Sequence, residues 1–139
     1  MIYTTFRGFA AASAMALLAG AAQAQDCPRG DLDTMYCDAD GDLVADAPTE
    51  GLQDPGTLVF AYTPVEDPAI YADIWEPFIE HLEETTGKSV KFFAVQSNSA
   101  EVEAMRSGRL HIAGFSTGPT PFAVNLAGAV PFAKITRLN

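Results

Sequence analysis

The sequence predicts an α/β protein, a mainly parallel sheet flanked by helices, on three observations. Short apolar runs recur at Leu58-Val59-Phe60-Ala61, Val90-Lys91-Phe92-Phe93-Ala94-Val95 and Leu110-His111-Ile112-Ala113-Gly114-Phe115. Each run breaks off into a polar cluster: Tyr62-Thr63-Pro64, Gln96-Ser97-Asn98-Ser99 and Ser116-Thr117-Gly118. Each cluster then leads towards a helical pattern. Parallel strands cannot be joined by tight turns and need crossover helices, so this alternation belongs to a parallel sheet.

After the turn signal Asp54-Pro55-Gly56, residues Thr57 to Tyr62 form a continuous apolar strand of the kind buried on both faces, which should be central. Asp67-Pro68 predicts a helix start, because Asp caps free N–H groups and proline is tolerated at the first helical position. Ile70, Tyr71, Ile74, Trp75, Phe78, Ile79 and Leu82 follow at spacings of three and four, a stripe that must pack on the sheet. Pro77 removes a backbone donor and should kink or divide this helix. Gly87 supplies the left-handed stop after Thr85-Thr86.

The second strand is expected from Ser89 to Val95. The next helix begins at Asn98 or Ser99, where Asn98 and Glu101 make a capping-box pattern. Val102, Ala104 and Met105 form its inner face, and Gly108 ends it. A third strand is expected at Leu110 to Phe115, a helix from Pro119 or Pro121, and a fourth strand at Ala129 to Ile135.

In an open parallel sheet, the loops after the strand carboxyl ends line a crevice, and helix N termini facing it offer unpaired N–H groups to an anion. Tyr62, Thr63, Gln96, Ser97, Asn98, Ser116, Thr117 and Gly118 are therefore the candidate ligand-binding residues. They are neutral hydrogen-bonding groups suited to an oxyanion. No Ser/His/Asp or Cys/His arrangement can be assembled from them, so the chain is read as a binder and not an enzyme. Trp75 and Met105 are read as core, His81 as a solvated side chain and His111 as a satisfied hydrogen-bonding residue.

The chain has 139 residues and a formal charge of −10. That charge argues against nucleic acid or an anionic membrane as partner, since both require a basic face. Residues 1–24 have the form of an export signal: Arg7, an Ala/Leu/Met-rich stretch from Gly8 to Ala22, and the small-x-small site Ala22-Gln23-Ala24. The apolar stretch is shorter than the about 20 residues needed to span a bilayer. Cleavage there would leave one modest domain in an oxidising compartment such as a bacterial periplasm.

Residues 25–56 form an acidic leader. Between Asp26 and Asp54 stand nine Asp or Glu and one basic residue, Arg29. Cys27 and Cys37 are expected to form a disulfide closing a small loop, with a zinc site as the competing reading. Asp38, Asp40, Asp42 and Asp46, with Gly41 among them, are spaced to wrap oxygens round a hard cation, and calcium is the natural candidate. Asp31 and Asp33 could add oxygens from across the loop. The other reading of the same stretch is a solvated acidic linker.

From about Thr57 to Phe132 the chain resembles the first part of a periplasmic phosphonate/phosphate-type solute-binding protein, the PhnD-like component of an ABC transporter. The resemblance lies in Phe60-Ala61-Tyr62-Thr63-Pro64, then Trp75-Glu76-Pro77-Phe78-Ile79-Glu80-His81-Leu82 leading to Thr86-Gly87-Lys88-Ser89-Val90. Glu103-Ala104-Met105-Arg106-Ser107-Gly108-Arg109-Leu110 running into Ala113-Gly114-Phe115 completes it. It implies that residues 57–139 are a partial lobe of the type II periplasmic-binding-protein fold. It further implies no required cofactor, a phosphonate, phosphate or phosphite ligand, and an ABC permease in the inner membrane as partner. Family members continue for roughly another 150 residues through a second lobe, a two-domain size, so a truncated or frameshifted product is expected. The alternative function is a calcium-binding extracellular interaction module built on the acidic leader.

Overall fold

The computed structural model describes residues 27–64, 72–134 and 136. The expected export signal and the Asp67-Pro68 helix start, with Ile70 and Tyr71, lie outside them. Strand β1 (Thr57–Tyr62) is central in a three-stranded parallel sheet of order β2-β1-β3, with β2 at Ser89–Phe92 and β3 at Ile112–Gly114. Thr57 to Phe60 pair with Ser89 to Phe92, and Phe60 to Tyr62 pair with Ile112 to Gly114.

The period-2 alternation of β1 sends its side chains to two helical layers. Phe60, 2% exposed, meets Trp75, Phe78 and Phe92 at centroid distances of 5.3, 5.1 and 5.9 Å. Trp75 ends a short 3-10 turn (Asp73–Trp75), and Phe78 lies on helix α1 (Glu76–Thr86). On the other side Ala61 joins Val95, Ala104 and Leu110 in a buried cluster beneath helix α2 (Asn98–Arg106). A second cluster, Val102, Ala123 and Ala127, joins α2 to helix α3 (Thr120–Ala127). Met105 touches both clusters, as its expected core role requires.

Pro77 sits in the first turn of α1, where its missing N–H costs no helical bond, so it divides the apolar stripe at the junction with the 3-10 turn. Ile74 leaves the expected stripe and is 62% exposed, because the 3-10 turn advances by three residues and rotates it away from the sheet. Gly87 closes α1 with φ of 67°, the left-handed cap expected of it.

Four expectations are corrected. The second strand ends at Phe92 and not Val95: Phe93 N still donates to Phe60 O at 2.7 Å, but the next β1-side position facing β2 beyond Tyr62 is Pro64, which has no N–H to continue the ladder. Val95 instead drops into the core at 3% exposure. The third strand is shorter than Leu110 to Phe115, since Leu110 N donates to Ala104 O and so serves the end of α2. Residues 129–134 form no strand: Ala129 N is spent on Ala123 O, Pro131 has no N–H, and Val130 and Phe132 are 62% and 76% exposed. Finally, the α2 cap is Ser97, not Asn98, so no Asn98/Glu101 capping box forms.

The leader packs on the helices through residues inside its disulfide ring. Cys27 and Cys37 are bonded, their Cα atoms 5.6 Å apart. Within the ring Leu32 is 6% exposed, Asp33 N donates to Asn125 O, and the Tyr36 ring covers Gly128, where an added Cβ would lie 2.6 Å from Tyr36 Cε1. Asp33 pairs with Arg106 at 2.8 Å instead of turning towards the Asp38 loop. Among the described residues no helix is long and apolar enough to cross a membrane.

Candidate functional site

Because all three strands run parallel, their carboxyl ends share one edge of the sheet. Three expected ligand segments lie there: Tyr62-Thr63 at the end of β1, Gln96-Ser97-Asn98 at the start of α2, and Ser116-Thr117-Gly118 after β3. Gln96, Ser97, Asn98, Ser116, Thr117 and Gly118 are exposed. Asn98 and Gly118 line one groove of about 600 Å³ together with Ser99, Val102, Phe122 and Arg106. The second and third segments therefore lie on the same side of the molecule. The other six expected residues do not line that groove.

Ser97 is in extended backbone, and its hydroxyl accepts from Ala100 N at 3.1 Å, while its carbonyl accepts from Glu101 N. These two bonds satisfy the later donors of the first turn. The earlier N–H groups, at Asn98 and Ser99, have no intrahelical acceptor and carry the positive end of the α2 dipole. In the third segment the Ser116 carbonyl accepts from the Thr120 hydroxyl at 2.8 Å, which fixes the approach to α3.

Thr63 is 4% exposed and not at the open mouth. Its hydroxyl donates to Glu101 Oε2 at 3.4 Å and accepts from Ser116 N at 3.0 Å, so one side chain joins the β1 and β3 loops to the head of α2. Tyr62 is half-buried and packs: its ring lies 4.7 Å from Trp75 and presses on Gly114, its register partner.

Glu101 was missed as a site residue by reasoning from capping patterns. It is 0% exposed, and its Oε1 has no hydrogen-bond partner among the described residues. Burial pushes its carboxyl up from 4.5 to about 7, against the smaller lowering effect of the Thr63 hydroxyl. A signal was present, since Glu101 stands three and four residues before Ala104 and Met105 and so shares their inward face. His111 behaves as expected: its Nδ1 accepts from Val59 N at 3.0 Å and its own N–H donates to Val59 O.

In the leader, Asp38, Asp40 and Asp42 bring carboxylate oxygens within 4.8 Å of one another, and Asp46 stands outside that group with its carboxylate accepting from Ala39 N. Asp38, 4% exposed, accepts from Gly41, Asp42 and Leu43 N–H groups. Those bonds fold the loop around one carboxylate, with Leu43 held at a φ of 68°.

Residues 60–139 match the family model of the periplasmic substrate-binding protein of phosphonate ABC transporters. The chain belongs to this family. It is 31% identical over 129 residues to the phosphate-import protein PhnD of Mycolicibacterium smegmatis, an alignment covering 93% of this chain and 33% of that protein. The chain thus spans about a third of the length of the curated relative it matches. A binding protein component of an ABC phosphonate transporter from Pseudomonas aeruginosa is similar in structure, with a TM-score of 0.50 and 27% identity over 53% of this chain and 24% of that one. This likeness agrees with the α/β sheet and its flanking helices. The relative and the structural neighbour named above are transport proteins.

Proposed function

We propose that this chain supplies the oxyanion-receiving edge of a periplasmic solute-binding protein that passes phosphonate, phosphate or phosphite to an ABC permease in the inner membrane. The observation that carries the reading is the groove in which the α2 N terminus, at Asn98 and Ser99, faces Gly118, the last residue of the Ser116-Thr117-Gly118 loop, at the carboxyl edge of a parallel sheet. Backbone donors and hydroxyls at a helix start suit a tetrahedral oxyanion without a fixed positive side chain. Ser97, Asn98, Ser116, Thr117 and Gly118 are the proposed contact residues. Gln96 flanks them on the exposed side, while Tyr62 and Thr63 act by shaping the edge.

The Cys27 to Cys37 disulfide supports a periplasmic location, because such bonds persist in oxidising compartments. Family membership supports the ABC permease as partner. Isothermal calorimetry with methylphosphonate, inorganic phosphate and phosphite, with chloride as control, tests the reading. Binding of at least one phosphorus oxyanion that is weakened by Ser116→Ala and Thr117→Ala supports it. Equal heats for all anions in parent and variants refute it.

A further inference from the structure

Glu101 is the largest fully buried side chain among the described residues, yet it is a carboxyl group with one oxygen unsatisfied. An ionised carboxylate in such a place loses its hydration without replacing it, whereas a protonated one loses far less. Its neighbour Thr63 is equally committed, because the one hydroxyl both donates to Glu101 and receives the Ser116 N–H. Glu101 therefore sits one hydroxyl away from the loop proposed to receive the anion. Its own amide is bonded to Ser97, the cap of the other proposed segment.

We propose that Glu101 is a positioning residue of this edge: it accepts from Thr63 and through it holds the Ser116 loop in the receiving arrangement, and it favours anion binding as the neutral acid and weakens it as the carboxylate. The proposal rests on the oxyanion reading above. A negative charge beneath the loops repels an incoming anion through a medium that screens poorly, and a neutral carboxyl does not. By linkage, anion binding then favours the protonated form and draws a proton into the protein.

The other titratable groups on packed elements do not duplicate this role. Tyr62 on β1 faces Trp75 on the opposite layer, and His111 before β3 is bonded to Val59 N. On the same helix Glu103 and Arg106 line the groove, but Glu103 is exposed, so solvent screens its charge, and Arg106 is paired with Asp33. Helix α3 carries no titratable side chain.

The test measures affinity for methylphosphonate and inorganic phosphate across the pH range from mildly acidic to mildly alkaline in the parent, Glu101→Gln and Glu101→Ala. Ligand ionisation is common to all three and cancels in the comparison. Glu101→Gln should match the parent at acid pH and bind about three- to tenfold tighter at alkaline pH, the size of a screened charge repulsion. Superimposable pH profiles of parent and Glu101→Gln overturn the proposal. Amide hydrogen exchange at Ser116 separates positioning from the oxyanion reading: Glu101→Ala should speed exchange and Glu101→Gln should preserve protection. Unchanged Ser116 protection in Glu101→Ala overturns the positioning role. If neither probe binds at any pH while Ser116 protection follows Glu101, the positioning role stands and the oxyanion reading falls.

Discussion

The Thr63 hydroxyl takes the Ser116 N–H at 3.0 Å, tying together two loops separated by 53 residues. The same hydroxyl donates to Glu101, so a small side chain just past β1 controls how the ends of all three site segments meet. Thr63→Val keeps the shape and deletes both bonds, leaving the part-buried Ser116 amide and the buried Glu101 carboxyl without this partner. The expected loss of stability is about 1–3 kcal/mol, measured by urea denaturation, and Thr63→Ser should recover most of it. A Val variant as stable as the parent would show that the hydroxyl bridges nothing of consequence.

Glu101 makes stability fall as pH rises. Its carboxyl is raised by burial from 4.5 to about 7, so between those values the folded chain keeps a proton that the unfolded chain has released. Its stabilising contribution is complete below the unfolded value and is lost as pH climbs through the folded one. Asp33 acts oppositely and at lower pH: partial burial pushes its carboxyl up, but the Met35 N–H, the Arg106 charge and the Thr34 hydroxyl hold it below the usual range. Melting temperatures followed over this window should decline for the parent and stay flatter for Glu101→Gln. A parent curve that rises there contradicts the assignment.

Gly114 is required by Tyr62. A Cβ at Gly114 would collide with Tyr62 Cδ2, so Gly114→Ala forces the ring off its packing against Trp75. The substitution should cost about 1–3 kcal/mol, and a double-mutant cycle with Tyr62→Ala should return much of that. Additive effects in the cycle would place the cost elsewhere.

The leader's disulfide ring holds Leu32, Asp33 and Tyr36 against the helices. Replacing Cys27 and Cys37 by Ser should destabilise the chain by about 2–4 kcal/mol, by freeing a short loop in the unfolded state. Asp33→Asn should have a smaller effect that shrinks in high salt, because its pair with Arg106 is open to solvent. Thermal melts with and without salt check both. If the ring can be opened without loss, the leader is a passive appendage.

The elements that could be read from the sequence are those whose own pattern decides them. Thr57 to Tyr62 is continuous and apolar, and it is the central strand; Gly87 and Gly108 stop their helices at φ of 67° and 70°. What failed depended on partners elsewhere in the chain. Phe93 to Val95 has a strand's composition, but no further ladder partner is offered on that side of β1. Residues 129–134 are apolar enough for a strand, but Ala129 N is taken by Ala123 O and Pro131 has no N–H to give a ladder. Glu101 was hidden because a carboxylate three residues after Asn98 looks like a cap, whereas Ser97 took that place and turned Glu101 inward. At the candidate site, the two exposed segments were legible as polar loops after apolar runs. The bridge through Thr63 was not, since it joins positions distant in sequence.

The receiving edge requires that a phosphorus oxyanion settle between the start of α2 and the loop after β3. Two-dimensional amide NMR of the chain titrated with methylphosphonate and inorganic phosphate tests this directly. Saturable shifts concentrated at Asn98, Ser99, Thr117 and Gly118 are the predicted result. Shifts confined to the acidic leader, or none at these four amides at saturating anion, would contradict it.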